Sequence, residues 1–187
     1  MSNFKERLSN VRPSSIVKTI VYTVYSLILV STVTSFLPSF GYRGSAPDLI
    51  LCATIAIAYC EGERVAAVFG MLSGFLLEAA GSTGFSMLPL FYMITGCVCA
   101  MLFLNILGKN IGAYLIYIAG FALVRAAITI IYIQFTVPDF GLGTALSRVV
   151  LPEYGVTLLA SPLIFPITCF IHRRLSGKAG IQEGKLS

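Results

Sequence analysis

Charge is scarce in this sequence. Asp, Glu, Lys and Arg supply 11% of its 187 residues, less than half the roughly 25% of a soluble globular chain. So few charges cannot cover a folded core with a hydrated surface, which excludes a soluble domain. Histidine occurs once, at His172, and tryptophan not at all. One histidine is too little company for five cysteines to build a soft-metal site. Cys52, Cys60, Cys97, Cys99 and Cys169 all lie in or at the edge of apolar spans. They read as small packing residues rather than a disulfide framework, and Cys97 and Cys99 diverge on a helix.

The chain also lacks the patterns that catalysis in a membrane requires. It has no His-x-x-Glu-His or His-Glu-x-x-His pair, no Gly-x-Ser-x-Gly, and no paired carboxylates on one span. Gly70-Met71-Leu72-Ser73-Gly74 has no Lys behind it and reads as helix packing, not as a phosphate loop. No enzyme activity, cofactor or metal is expected. A basic stripe for nucleic acid is missing too, because the basic residues lie between apolar spans and in the tails. There they face anionic lipid.

What the chain does have is apolar length. Apolar residues reach 57%, and charge-free runs cover 19–42, 79–108 and 154–171, which is 24, 30 and 18 residues. The fold class is therefore all-α, a polytopic integral membrane protein with a six-helix transmembrane bundle. Its spans are 16–37, 46–60, 64–80, 85–107, 111–135 and 154–171, forming a membrane domain over 16–171. Tails 1–15 and 172–187 flank it. The first apolar run is too long for a signal-peptide core and has no clean cleavage site before Pro38, so it is a retained span. The second span has 15 residues, about 22 Å against a hydrocarbon core of roughly 30 Å. It borrows flanking residues, thins the membrane locally, or is partly re-entrant. Pro89 is tolerated near the start of the fourth. Within 136–153, residues 142–151 form either a short amphipathic surface helix or an irregular loop.

Charge placement sets the orientation. With six spans, Lys5, Arg7, Arg12, Lys18, Arg64, Lys109, Arg173, Arg174, Lys178 and Lys185 share one side, ten of thirteen basic residues. Arg43 and Arg148 lie on the other, and Arg125 lies inside the fifth span. Both termini are thus expected to be cytoplasmic, in a multi-pass protein of the cell membrane.

Two features inside the membrane stand out. Ala66, Gly70, Gly74 and Glu78 recur every four residues and form one narrow stripe on the third span. Its small residues let another backbone approach, either within this chain or from a partner's helix. The other feature is a trio of ionisable residues, Asp48, Glu78 and Arg125, at overlapping depths in the outward half. Leaving any one unpaired in lipid costs several kcal/mol, so pairing is expected. A Glu78–Arg125 bridge fixing span three to span five is one outcome. A polar cavity or contact site lined by all three is another, and separate snorkelling is the third. Tyr22, Tyr25, Tyr92, Tyr114, Tyr117 and Tyr132 lie inside spans as interface-belt or packing residues.

These residues also carry a resemblance. Ala46-Pro47-Asp48-Leu49 opens the second span, Phe69-Gly70-Met71-Leu72-Ser73-Gly74-Phe75-Leu76-Leu77-Glu78 follows, and Gly84-Phe85 enters the next. The order resembles the bacterial rod shape-determining protein MreD family. That family has Pro-Asp at the start of its second span and two spaced glycines before an acidic residue and a Gly-rich turn. Pro47, Asp48, Gly70, Gly74 and Gly84 match, while Glu78 stands where Asp is more usual. The resemblance implies a non-enzymatic scaffold or regulatory subunit of the cell-elongation complex, organising lateral peptidoglycan synthesis. The implied partners are an MreC-like membrane protein, a RodA-like glycosyltransferase, an elongation-specific transpeptidase and, indirectly, the MreB cytoskeleton. It further implies a bundle like the membrane substrate-binding subunit of energy-coupling-factor transporters. The alternative function is accordingly a small-molecule-binding membrane subunit of a transporter.

Overall fold

The computed structural model describes residues 13–36, 47–80, 87–106, 110–136 and 151–183. All described regular structure is helical. The helices are α1 (Pro13–Ser31, continued by a π-turn Thr32–Phe36), α2 (Leu49–Glu61), α3 (Glu63–Ala79), α4 (Leu88–Asn105), α5 (Ile111–Thr136) and α6 (Leu151–Glu183). Among the described residues, four segments are long and apolar enough to cross a membrane: Val17–Ser35, Leu88–Asn105, Ile111–Ile131 and Leu151–Leu175. Their outward faces carry exposed Ile20, Leu90, Met101, Ile116 and Leu163, which is where lipid takes the place of water. The chain is an all-α polytopic membrane protein.

The centre of the bundle is α2. Ile50 to Ala58 are all buried, and every other helix packs against it. A helix that is apolar all round must be enclosed, and Cys52, Ala53, Ala56 and Ala58 are small enough to let neighbours in. Enclosure explains the short length anticipated for 46–60. At 13 residues, about 20 Å, α2 is lined by protein and does not have to match the lipid. Its two ends then lie inside the bundle and need polar partners there.

One residue separates α2 from α3. Gly62 has φ 93° and ψ −171°, a region open essentially to glycine alone. A Cβ there would meet nothing within 4 Å, so the obstacle to substitution is backbone strain. Gly62→Ala is expected to lower stability by about 1–3 kcal/mol, read as a fall in the melting temperature of the detergent-purified protein.

The small-residue stripe of α3 is taken up by α4. A Cβ at Gly70 would strike the Tyr92 carbonyl, and one at Gly74 would lie 2.6 Å from Pro89 Cα. The approach is reciprocal: a Cβ on Gly96 of α4 would lie 2.7 Å from the Ala66 carbonyl carbon. Of the two roles open to Ala66, Gly70 and Gly74, the structure shows the contact within the chain, because α4 occupies the face a partner's helix would need. Pro89 falls in the first turn of α4, where its missing N–H breaks no helical bond.

The last helix contains the span 154–171 and runs on to Glu183; Arg173, Arg174 and Leu175 are good helix formers, and Leu175 is buried. Two prolines lie within it. Pro162 leaves the Leu158 carbonyl without its helical donor, and Ser161 Oγ supplies one at 2.8 Å. Residues 142–150 and the Gly81–Gly84 turn lie outside the described residues.

Candidate functional site: the two polar ends of the central helix

Asp48 stands at the start of α2 and is buried. Its Oδ1 accepts the Leu51 N–H at 3.0 Å, an N-cap that satisfies a donor the helix cannot. Pro47 just before it is buried too, and its carbonyl accepts from Leu49 N–H at 3.0 Å. The Asp48 backbone N–H donates to Thr157 Oγ1 of α6 at 2.9 Å, and that hydroxyl donates on to the Glu153 carbonyl at 2.7 Å. From α4, the Tyr92 hydroxyl donates to the carboxylate, 2.9 Å from Oδ1 and 3.0 Å from Oδ2. From α5, Arg125 forms an ion pair with Asp48 through Nη1. The same nitrogen donates to Tyr92 Oη at 2.7 Å. Arg125 Nη2 reaches Glu153 of α6 at 3.3 Å. Four helices meet at Asp48, three of them on its carboxylate.

Of the three residues anticipated to cluster, the structure unites Asp48 and Arg125 and leaves out Glu78. Glu78 is half-buried on α3, and no ion pair joins it to a described residue. Its place is taken by Glu153, at the first turn of α6. A bridge from span three to span five is therefore corrected to one from α5 to α2 and α6. The Arg125 guanidinium turns toward the α2–α6 seam, where it meets Asp48 and Glu153. Beside it, a cavity of about 20 Å³ is lined by Asp48, Ala122, Arg125, Thr129, Glu153 and Thr157. Among the described residues that is room for about one water.

The opposite end of α2 carries a second cluster, absent from the sequence reading. Glu61 Oε1 accepts from Lys18 Nζ of α1 at 3.0 Å and from Tyr22 Oη at 3.2 Å, and lies 2.8 Å from His172 Nδ1 of α6. Lys18 also donates to Oε2 at 3.1 Å. Burial would raise the Glu61 carboxyl, but the hydrogen bonds and positive charge of Lys18 and His172 outweigh it. Its pKa is held below the ordinary value of 4.5. A lowered carboxyl pKa contributes stability that is present above the unfolded value and lost as pH falls through the folded one. Acidifying the purified protein from about pH 6 to about pH 3 is expected to lower its melting temperature partly through this site. Glu61→Gln should flatten that dependence; an unchanged profile would remove the cluster from the pH response.

The tyrosines placed in the belt or in packing serve largely as cross-links. Tyr25 Oη pairs with Thr168 Oγ1 at 3.0 Å, Tyr114 Oη reaches the Cys52 and Ser161 carbonyls at 3.2 Å, and Tyr117 Oη donates to the Leu102 carbonyl at 3.1 Å. Each satisfies polar atoms between helices where water is absent. The side chain of Tyr132 lies outside the described residues. The signal for Glu61 was available: an acid flanks each end of one uninterrupted apolar run, 48 to 61. Compared with known proteins, the chain matches no family model, no curated protein and no solved structure.

Proposed function

We propose that this chain is a non-enzymatic membrane scaffold or regulatory subunit of the bacterial cell-elongation complex, binding an MreC-like partner. In this reading all six helices cross or enter the membrane, and the ten-to-two division of basic residues supports cytoplasmic termini. The link to cell elongation rests on the resemblance of Pro47-Asp48, Gly70, Gly74 and Glu78. The observation that favours a scaffold over a transport subunit is the use made of Asp48 and Arg125. They are spent on each other, on Tyr92 and on Glu153, beside a space of about 20 Å³, whereas small-molecule sites occupy roughly 300–1,000 Å³. Such a seam gives rigidity, which suits a platform on which partners assemble.

With the α3 stripe covered by α4, the partner contact is assigned to the outer end of the bundle, near Asp48, Glu78 and Glu153. Glu153 remains 26% exposed there. Crosslinking in native membranes, pull-down and identification of every captured protein tests the assignment. An MreC-like protein with a RodA-like glycosyltransferase and a transpeptidase is the expected set. Recovery of an ATPase module instead would reverse it in favour of the transporter subunit.

A further inference from the structure

Cys60 and Cys169 are 109 residues apart in sequence, yet their sulfurs lie 3.3 Å from one another where α2 meets α6. Neither is in a disulfide, and both are half-buried. The contact sits beside the Glu61 cluster, since Glu61 follows Cys60 and His172 lies one turn beyond Cys169 on α6. Lys18, Tyr22 and His172 already hold the two helices and α1 together there. A disulfide needs its sulfurs about 2 Å apart. The remaining gap of just over an ångström is within reach of small rotations of two unbranched side chains. Half-burial shields the pair from a bulky protein oxidant and admits a small neutral one.

We propose that Cys60 and Cys169 are an oxidisable dithiol, closed by hydrogen peroxide or a related hydroperoxide into a disulfide that clamps α2 to α6. One sulfur, as thiolate, attacks a peroxide oxygen, breaking the O–O bond and leaving a sulfenic acid and, after protonation, one water. The second thiol then displaces the sulfenic oxygen, which departs as a second water while the S–S bond forms. Two thiols are oxidised by two electrons and one peroxide is reduced to two waters. Small-molecule or protein thiols reverse the step by exchange. On the side that the basic residues assign to the cytoplasm, thiols are kept reduced, and disulfides there are transient and redox-sensing. The bond closes a long loop and joins the enclosed helix to the longest one, so the clamped state resists unfolding. The inference does not depend on the assignment to cell elongation.

The full chain, purified in detergent with all thiols reduced, is treated with hydrogen peroxide, denatured, and alkylated with N-ethylmaleimide. Wild type is expected to fall from five alkylated cysteines to three, with one crosslinked peptide pair joining Cys60 to Cys169. Cys60→Ser and Cys169→Ser should each abolish that peptide, and dithiothreitol should restore five. Oxidised wild type should also melt at a higher temperature than reduced wild type, a difference absent from both variants. Five alkylated cysteines after peroxide, a disulfide between other positions or between two chains, or an unchanged melting temperature despite the crosslink would each overturn the proposal.

Discussion

Asp48→Ala is expected to destabilise this protein by about 3–5 kcal/mol, the cost of leaving a buried charge without its partner. Arg125 would keep only Tyr92 and the half-exposed Glu153, and the Leu51 N–H would lose its cap. For a chain of this length, roughly 2–4 °C per kcal/mol translates this into a melting temperature lower by about 10 °C. Asp48→Asn separates the two contributions. Asparagine is as good a cap as aspartate and can still accept from Leu51 and Tyr92, but it cannot neutralise Arg125. Its loss should be intermediate. Asp48→Ala combined with Arg125→Leu should recover part of the deficit, because Glu153 can turn to solvent once its cation is gone. If the double variant loses as much as the sum of the two single ones, the pair does not interact as described.

Gly74→Leu should have a still broader effect, preventing α3 from seating on α4. The first carbon of any side chain there falls 2.6 Å from Pro89 Cα, and backbone cannot swing aside as a side-chain tip can. Gly74→Ala is expected to cost about 1–3 kcal/mol, as overpacking does, and the leucine variant to fail to accumulate as a monodisperse species. Gly96→Ala should behave like Gly74→Ala, since it meets Ala66 from the other side of the same contact. Gly120 supplies the control. It faces open space on α5, so Gly120→Ala should be neutral or slightly stabilising through better helix propensity. Fluorescence-detected gel filtration and thermal melting of the four variants rank them. Equal losses at positions 74 and 120 would show that general helix loosening, not close approach, explains the glycines.

The contrast between Glu78 and Glu153 shows where reading the chain reached its limit. Asp48 and Arg125 announce themselves because a charge at the edge of an apolar run, or inside one, must find a partner. Their depth follows from counting residues along the helix. Which acid meets Arg125 depends on how α5 is rotated about its axis, and an apolar run with no polar face gives no indication of that. Arg125 pairs with Asp48 and Glu153, and not with Glu78. Lys18 escaped notice for a different reason: it counts among the charges that orient the chain, and a basic residue near a membrane edge can orient a span and still bond to its neighbour, here Glu61. Gly70 and Gly74 were legible as a close-packing face, though not as one already filled by α4.

By itself, then, the sequence determined that this is a membrane protein, where its helices lie, and that Asp48 and Arg125 require partners. Those properties follow from local runs of apolar residues and from the cost of a lone charge in a medium without water. Only the tertiary structure decided that the shortest helix is the central one, and that its two acidic ends are held by α1, α4, α5 and α6. It also decided that Cys60 meets Cys169. Pairings of this kind depend on the relative rotation and packing of whole helices, and those are set by the fit of all the side chains together.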